Sequence, residues 1–86
     1  HMGWNQVQQC MAHPMWAGID NHTRFYFVHS YCVTGLPDDA VAGRCDYGLS
    51  FAAAAVQGNV FAVQFHPEKS ADAGLALLEN FLRWQP

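Results

Sequence analysis

The sequence predicts an α/β layered fold in which β-strands, two of them forming a hairpin, are followed by a helix that covers the sheet. Three observations predict it. Phe25-Tyr26-Phe27-Val28-His29-Ser30 is a dense aromatic and β-branched run, the composition of a strand. Gly58-Asn59 is a two-residue turn signal before Val60-Phe61-Ala62-Val63-Gln64-Phe65, which places Phe61, Val63 and Phe65 on one face. The residues after Ser70 repeat their leucines at helical spacing.

Taken in order, Trp4 to Ile19 mixes polar and apolar residues irregularly, and His13-Pro14 breaks any helix, so a loop with one short strand is expected there. A strand follows at 25–30. Leu36-Pro37-Asp38-Asp39 has turn chemistry, and Cys45-Asp46-Tyr47-Gly48 suggests a short strand entering another turn. Ser50 to Val56 is ambiguous: four consecutive alanines favour helix, whereas Phe51 and Val56 favour strand. The Gly58-Asn59 signal tips this segment toward the first arm of a hairpin, its alanines marking a close approach of something packed above, and the helix alternative stays open. Ser70 is expected to cap the last helix, with Asp72 in its first turn. Leu75, Leu78 and Leu82 form one stripe, Leu77, Phe81 and Trp84 lie beside it, and a Glu79–Arg83 pair supports the solvent side.

Eighty-six residues make one domain at most, and a chain of this size hides only about 60–65% of the surface its unfolded form exposes. Yet 51% of the residues are hydrophobic and 14% aromatic, and the charged share of 13% is half the usual value of about 25%. Such a surplus points to a missing covering layer: a partner chain, a second copy of itself or another part of the same protein. The alternative is a compact apolar domain that needs no such cover. A net charge of −3 with four scattered Lys+Arg offers no basic stripe for phosphate, which argues against nucleic-acid binding. No apolar run approaches the roughly 20 residues of a membrane span and no charged leader opens the chain, so a cytoplasmic location and no membrane association are expected. The three cysteines, Cys10, Cys32 and Cys45, are odd in number and lack Cys-x-x-Cys spacing, as expected of reduced, buried thiols. His1, His13 and His22 share no ligand spacing, so neither metal nor cofactor is expected. His1-Met2 at the start is either native or the remnant of a tag.

His66-Pro67-Glu68 carries the chemistry. On an extended backbone residues i and i+2 project to one side, so the Glu68 carboxylate can orient the His66 imidazole and stabilise its protonated form. Such a pair is two thirds of a nucleophile–His–acid triad. Pro67 removes a ladder donor, so the strand should end there and leave both side chains at its lip. The alternative for this pair is a surface ion pair of little energetic weight.

Phe65-His66-Pro67-Glu68, followed by Ser70 and an amphipathic helix ending in Asn80-Phe81-Leu82, resembles the C-terminal half of the class I (triad) glutamine amidotransferase fold. Within that class, His1-Met2-Gly3-Trp4-Asn5 and Phe27-Val28-His29-Ser30-Tyr31 look like the glutaminase-subunit family of imidazole glycerol phosphate synthases, enzymes of histidine biosynthesis. The resemblance implies hydrolysis of glutamine to glutamate and ammonia, with ammonia passed to a cyclase subunit. It also implies a cysteine nucleophile activated by His66, with Glu68 holding the ring, and Ser30 and Tyr31 lining the glutamine site largely through backbone. Met2, Trp4, Asn5, Tyr26 and Lys69 would lie at the cyclase interface; Tyr26 is equally a core strand residue and Lys69 equally a solvated charge. His29 reads as a hydrogen-bonded core histidine.

The departure from the family pattern concerns the nucleophile, which there sits on a tight strand-to-helix turn between glycines. Cys10 lies in Gln-Gln-Cys-Met-Ala, Cys32 in Ser-Tyr-Cys-Val-Thr and Cys45 in Gly-Arg-Cys-Asp-Tyr, and only Cys45 has a nearby glycine. The resemblance therefore implies that residues 1–86 are a single partial domain, the C-terminal portion of an amidotransferase domain whose nucleophile-bearing half is absent; the chain alone is expected to be inactive and to self-associate or pair with that half. Alternatives are an amidotransferase domain of guanylate, anthranilate or carbamoyl phosphate synthesis, and a non-catalytic interaction module on the same scaffold.

Overall fold

The computed structural model describes residues 2–28, 35–46 and 50–86, and among these residues six strands and one α-helix, with three short 3-10 turns, build the fold. Strands β1 (Met2–Gln6) and β3 (Arg24–Val28) form a two-stranded antiparallel sheet in which Trp4 lies opposite Tyr26. A second antiparallel sheet has the order β2-β4-β5-β6, from β2 (Gln8–Gln9), β4 (Val41–Asp46), β5 (Ser50–Gln57) and β6 (Val60–Val63). Helix α1 (Ala71–Arg83) closes the chain and packs against β3 and the short 3-10 turn Pro14–Trp16.

Strand β3 alternates as its sequence requires. Phe25 and Phe27 are buried, with ring centroids 4.2 and 5.7 Å from that of Phe65, while Tyr26 between them is half-buried on the opposite side. The alanine run is strand rather than helix. Gly58 opens the β5–β6 turn with φ of 58°, a conformation that glycine adopts without steric cost, and Gln57 pairs with Val60 across it. Ala52, Ala53 and Ala54 are consecutive and all buried, so β5 is covered on both faces, consistent with small side chains under close packing. Phe61 and Val63 turn toward the core from β6 and Val60 and Ala62 away from it, the alternation expected.

Three expectations need correction. Residues 2–9 contain two strands, not one, because a mixed polar sequence can still be held in a sheet by partners distant in the chain. The His13-Pro14 break does hold: His13 caps the Pro14–Trp16 turn, its Nδ1 accepting from the Met15 amide at 3.1 Å. Cys10 is exposed, its thiol donating to the Gln8 carbonyl at 3.6 Å, whereas Cys45 is buried in β4. Cys32, His29 and the expected turn at 47–48 lie outside the described residues.

The third correction concerns α1, which is rotated from its expected orientation. Its buried residues are Gly74 and Leu77, flanked by Ala73, Ala76 and Trp84, and the stripe Leu75, Leu78 and Leu82 faces outward with Phe81. The cause is contact geometry. A Cβ on Gly74 would stand 1.8 Å from the Pro67 carbonyl oxygen, so only glycine lets the helix seat on the turn before it, and this seating fixes which face turns inward. Asn80 locks the same orientation, its Nδ2 donating to the carbonyls of Met15 and Ala17, both at 2.8 Å. Ser70 makes no side-chain capping bond, and the Glu79–Arg83 pair is not among the ion pairs that the described residues form. Leu82 is 83% exposed and Leu75 57%, so the apolar surplus read from composition is on the surface. No helix among the described residues is long and apolar enough to cross a membrane.

Candidate functional site

Strand β6 ends at Val63, three residues before His66. His66 itself keeps an extended backbone (φ −102°, ψ 100°) and stands at the N-terminal end of a 3-10 turn, Pro67–Lys69. Proline begins that turn naturally, since its fixed φ suits the first position and its missing N–H is not needed there. The alternation of a strand therefore does not bring the two side chains together, as the sequence suggested; the turn does. His66 Nδ1 and Glu68 Oε2 are 2.9 Å apart, a hydrogen-bond distance, with the imidazole 32% and the carboxylate 61% exposed. The hydrogen bond from His66 is the largest influence on Glu68 and holds its carboxyl below the ordinary value. With Nδ1 directed at the carboxylate, Nε2 is the ring nitrogen through which a thiol would be addressed.

The backbone of His66 is tied to β3. Its amide donates to the Tyr26 carbonyl at 2.9 Å. The Tyr26 amide donates in turn to Ser70 Oγ at 2.9 Å, and the Ser70 hydroxyl donates to the His66 carbonyl at 2.5 Å. Ser70 is 1% exposed. Its place is not readable from sequence, where a serine before an amphipathic helix signals a cap; only the fold puts its hydroxyl between two backbone segments 40 residues apart.

The other expected site residues divide. Trp4 and Tyr26 meet edge to face with ring centroids 5.6 Å apart, and Trp4 is 49% exposed, so these two form one surface feature. Through the Tyr26 backbone this feature adjoins His66. Lys69 is exposed in the same turn as Glu68. Asn5 is half-buried, opposite Phe25 rather than beside Tyr26. Met2 begins β1, but its side chain lies outside the described residues, as do Ser30 and Tyr31 entirely. Neither described cysteine occupies a strand-to-helix turn: Cys45 is inside β4, opposite Phe51, and Cys10 follows β2. Among the described residues no group of three or more His, Cys, Asp or Glu side chains is placed to hold a metal ion.

The chain is 59% identical over 86 residues to the imidazole glycerol phosphate synthase subunit HisH of Nitrosomonas europaea, covering all of this chain and 41% of that protein. It is 57% identical over 86 residues to the subunit of the same name from Aromatoleum aromaticum, again covering 100% and 41%. For that of Acinetobacter baylyi the identity is 60% over 85 residues, covering 98% of this chain and 42% of the relative. The chain thus spans about two fifths of the length of these curated relatives. The family of class-I glutamine amidotransferases matches residues 1–84, and the chain belongs to that family.

Proposed function

We propose that this chain carries the histidine–glutamate part of a glutaminase site, in the glutaminase subunit of an imidazole glycerol phosphate synthase. The observation that carries the proposal is the 2.9 Å contact between His66 Nδ1 and Glu68 Oε2, made across the turn that follows β6 and half open to solvent. In the reaction a cysteine thiolate attacks the side-chain amide carbon of glutamine, and His66 delivers a proton to the departing ammonia. The thioester that results is hydrolysed by water, which His66 deprotonates, releasing glutamate. Glu68 holds the ring and stabilises the imidazolium formed in between. Ser30 and Tyr31 bind glutamine. The ammonia is delivered to a cyclase subunit that contacts Met2, Trp4, Asn5, Tyr26 and Lys69; an exposed tryptophan packed on a tyrosine has the character of an interface anchor.

The nucleophile belongs to a part of the domain outside these 86 residues. The setting of the described cysteines and the two-fifths coverage of the relatives support this reading, on which the chain is inactive alone. The outward stripe of Leu75, Leu78 and Leu82 then lies under other protein, the remainder of the domain or a second copy. Co-purification tests the assignment: tagged full-length protein carrying this segment retains a cyclase barrel of histidine biosynthesis, and glutamate release rises on adding that barrel. Stimulation instead by a guanylate, anthranilate or carbamoyl phosphate synthetase subunit assigns it to another amidotransferase, and glutaminase silence with every partner leaves an interaction module.

A further inference from the structure

The hydroxyl of Ser70 closes a ring between two backbone segments. Tyr26 and His66 exchange one direct hydrogen bond, His66 N–H to Tyr26 carbonyl at 2.9 Å. The return bond runs through a side chain: Tyr26 N–H donates to Ser70 Oγ, and the Ser70 O–H donates to the His66 carbonyl. A hydroxyl is the smallest side-chain group that donates and accepts at once, and this one is used in both directions. Its burial means that water does not readily replace it. On either side Ser70 is fixed as well, its amide donating to the Pro67 carbonyl at 3.0 Å and its carbonyl accepting from the Gly74 amide at 3.1 Å.

We propose that Ser70 is a positioning residue for His66. It sets the imidazole relative to β3, and so relative to Tyr26 and the surface that Tyr26 shares with Trp4, without touching the substrate. This rests on the glutaminase reading above, in which His66 moves the proton. The ring leaves the His66 carbonyl no freedom to swing, so the torsions that bring Nδ1 to Glu68 start from a fixed backbone. Removing the hydroxyl takes this partner from the Tyr26 amide and one of two donors from the His66 carbonyl, which still accepts from the Lys69 amide at 3.1 Å, so the 66–69 turn loses one of its ties to β3.

Ser70→Ala and Ser70→Thr test this, in the 86-residue chain by nitrogen-15 NMR of His66 and in the assembled full-length glutaminase by kinetics. In folded Ser70→Ala the His66 Nδ1 signal loses its hydrogen-bonded position and the Glu68 carboxyl titrates closer to its ordinary range. In the enzyme kcat falls roughly tenfold to a hundredfold while KM for glutamine stays within about twofold. Ser70→Thr, which keeps the hydroxyl, restores both. Where Ser70→Ala fails to fold, Ser70→Cys, with a weaker donor and acceptor, shows the same shifts to a smaller degree. Folded Ser70→Ala or Ser70→Cys with unchanged His66 and Glu68 signals and unchanged kcat overturns the positioning role alone. Full activity in His66→Ala overturns the glutaminase reading instead.

Discussion

His66 and Glu68 make their 2.9 Å contact across a 3-10 turn that begins with Pro67, beyond the end of β6. The pair therefore depends on the turn's geometry and on the bonds that moor it to β3, rather than on strand pleating.

The carboxyl of Glu68 is expected to titrate below its ordinary 4.5, chiefly because His66 hydrogen-bonds to it. A depressed folded value means that the pair's contribution is present above the unfolded value and is lost as pH falls through the folded one. Carbon-13 NMR titration checks this: His66→Ala should return Glu68 toward 4.5, and an unchanged midpoint would show that the contact does not hold the carboxylate.

Gly74→Ala should destabilise the chain by about 2 kcal/mol or more, since overpacking against unyielding backbone costs on that order. The new methyl carbon meets the Pro67 carbonyl oxygen at 1.8 Å and its carbon at 2.7 Å, so either α1 or the Glu68 turn must move. Urea denaturation measures the loss, and the variant should also weaken the His66–Glu68 NMR signature. A fully stable variant with that signature intact contradicts the seating of the helix.

Asn80→Ala removes both side-chain bonds to Met15 and Ala17 and should cost about 1–3 kcal/mol. Asn80→Asp is expected to be as damaging, because a carboxylate cannot donate to two carbonyls. Equal midpoints for wild type and either variant in urea would count against this tether.

His13 supplies a pH dependence unrelated to catalysis. Its Nδ1 accepts from the Met15 amide, and its ring lies 5.2 Å from Phe61 and 5.0 Å from Trp84, so burial holds its pKa below 6.5. Below 6.5 the unfolded chain binds the proton more readily than the folded one, so stability falls as pH drops from there toward the folded value. Thermal melts between pH 7.5 and 5 should show this slope, and His13→Asn, which can still cap the turn, should flatten it.

What was legible in the sequence was mostly local. The alternation of Phe25 and Phe27, the Gly58-Asn59 turn and the His66-Pro67-Glu68 triplet each depend on neighbours within a few residues, and each is found in the structure. Two strands stand at residues 2–9 where the sequence suggests one, because the partner of β1 lies about 20 residues away and the composition there is mixed. The helix face was misjudged because leucine spacing fixes a stripe but not which side meets the core; Gly74 and Asn80, neither hydrophobic, decide that here. Ser70 carries a capping signal, yet the nearest use for its hydroxyl is between Tyr26 and His66.

The most direct measurement is glutamate release from glutamine by the full-length protein containing this segment, assayed with a cyclase partner, for wild type and His66→Ala. Loss of general acid–base catalysis predicts a fall of about 10²–10⁴-fold in kcat for the variant. Wild-type turnover in His66→Ala, or glutaminase activity in the 86-residue chain by itself, would contradict the account.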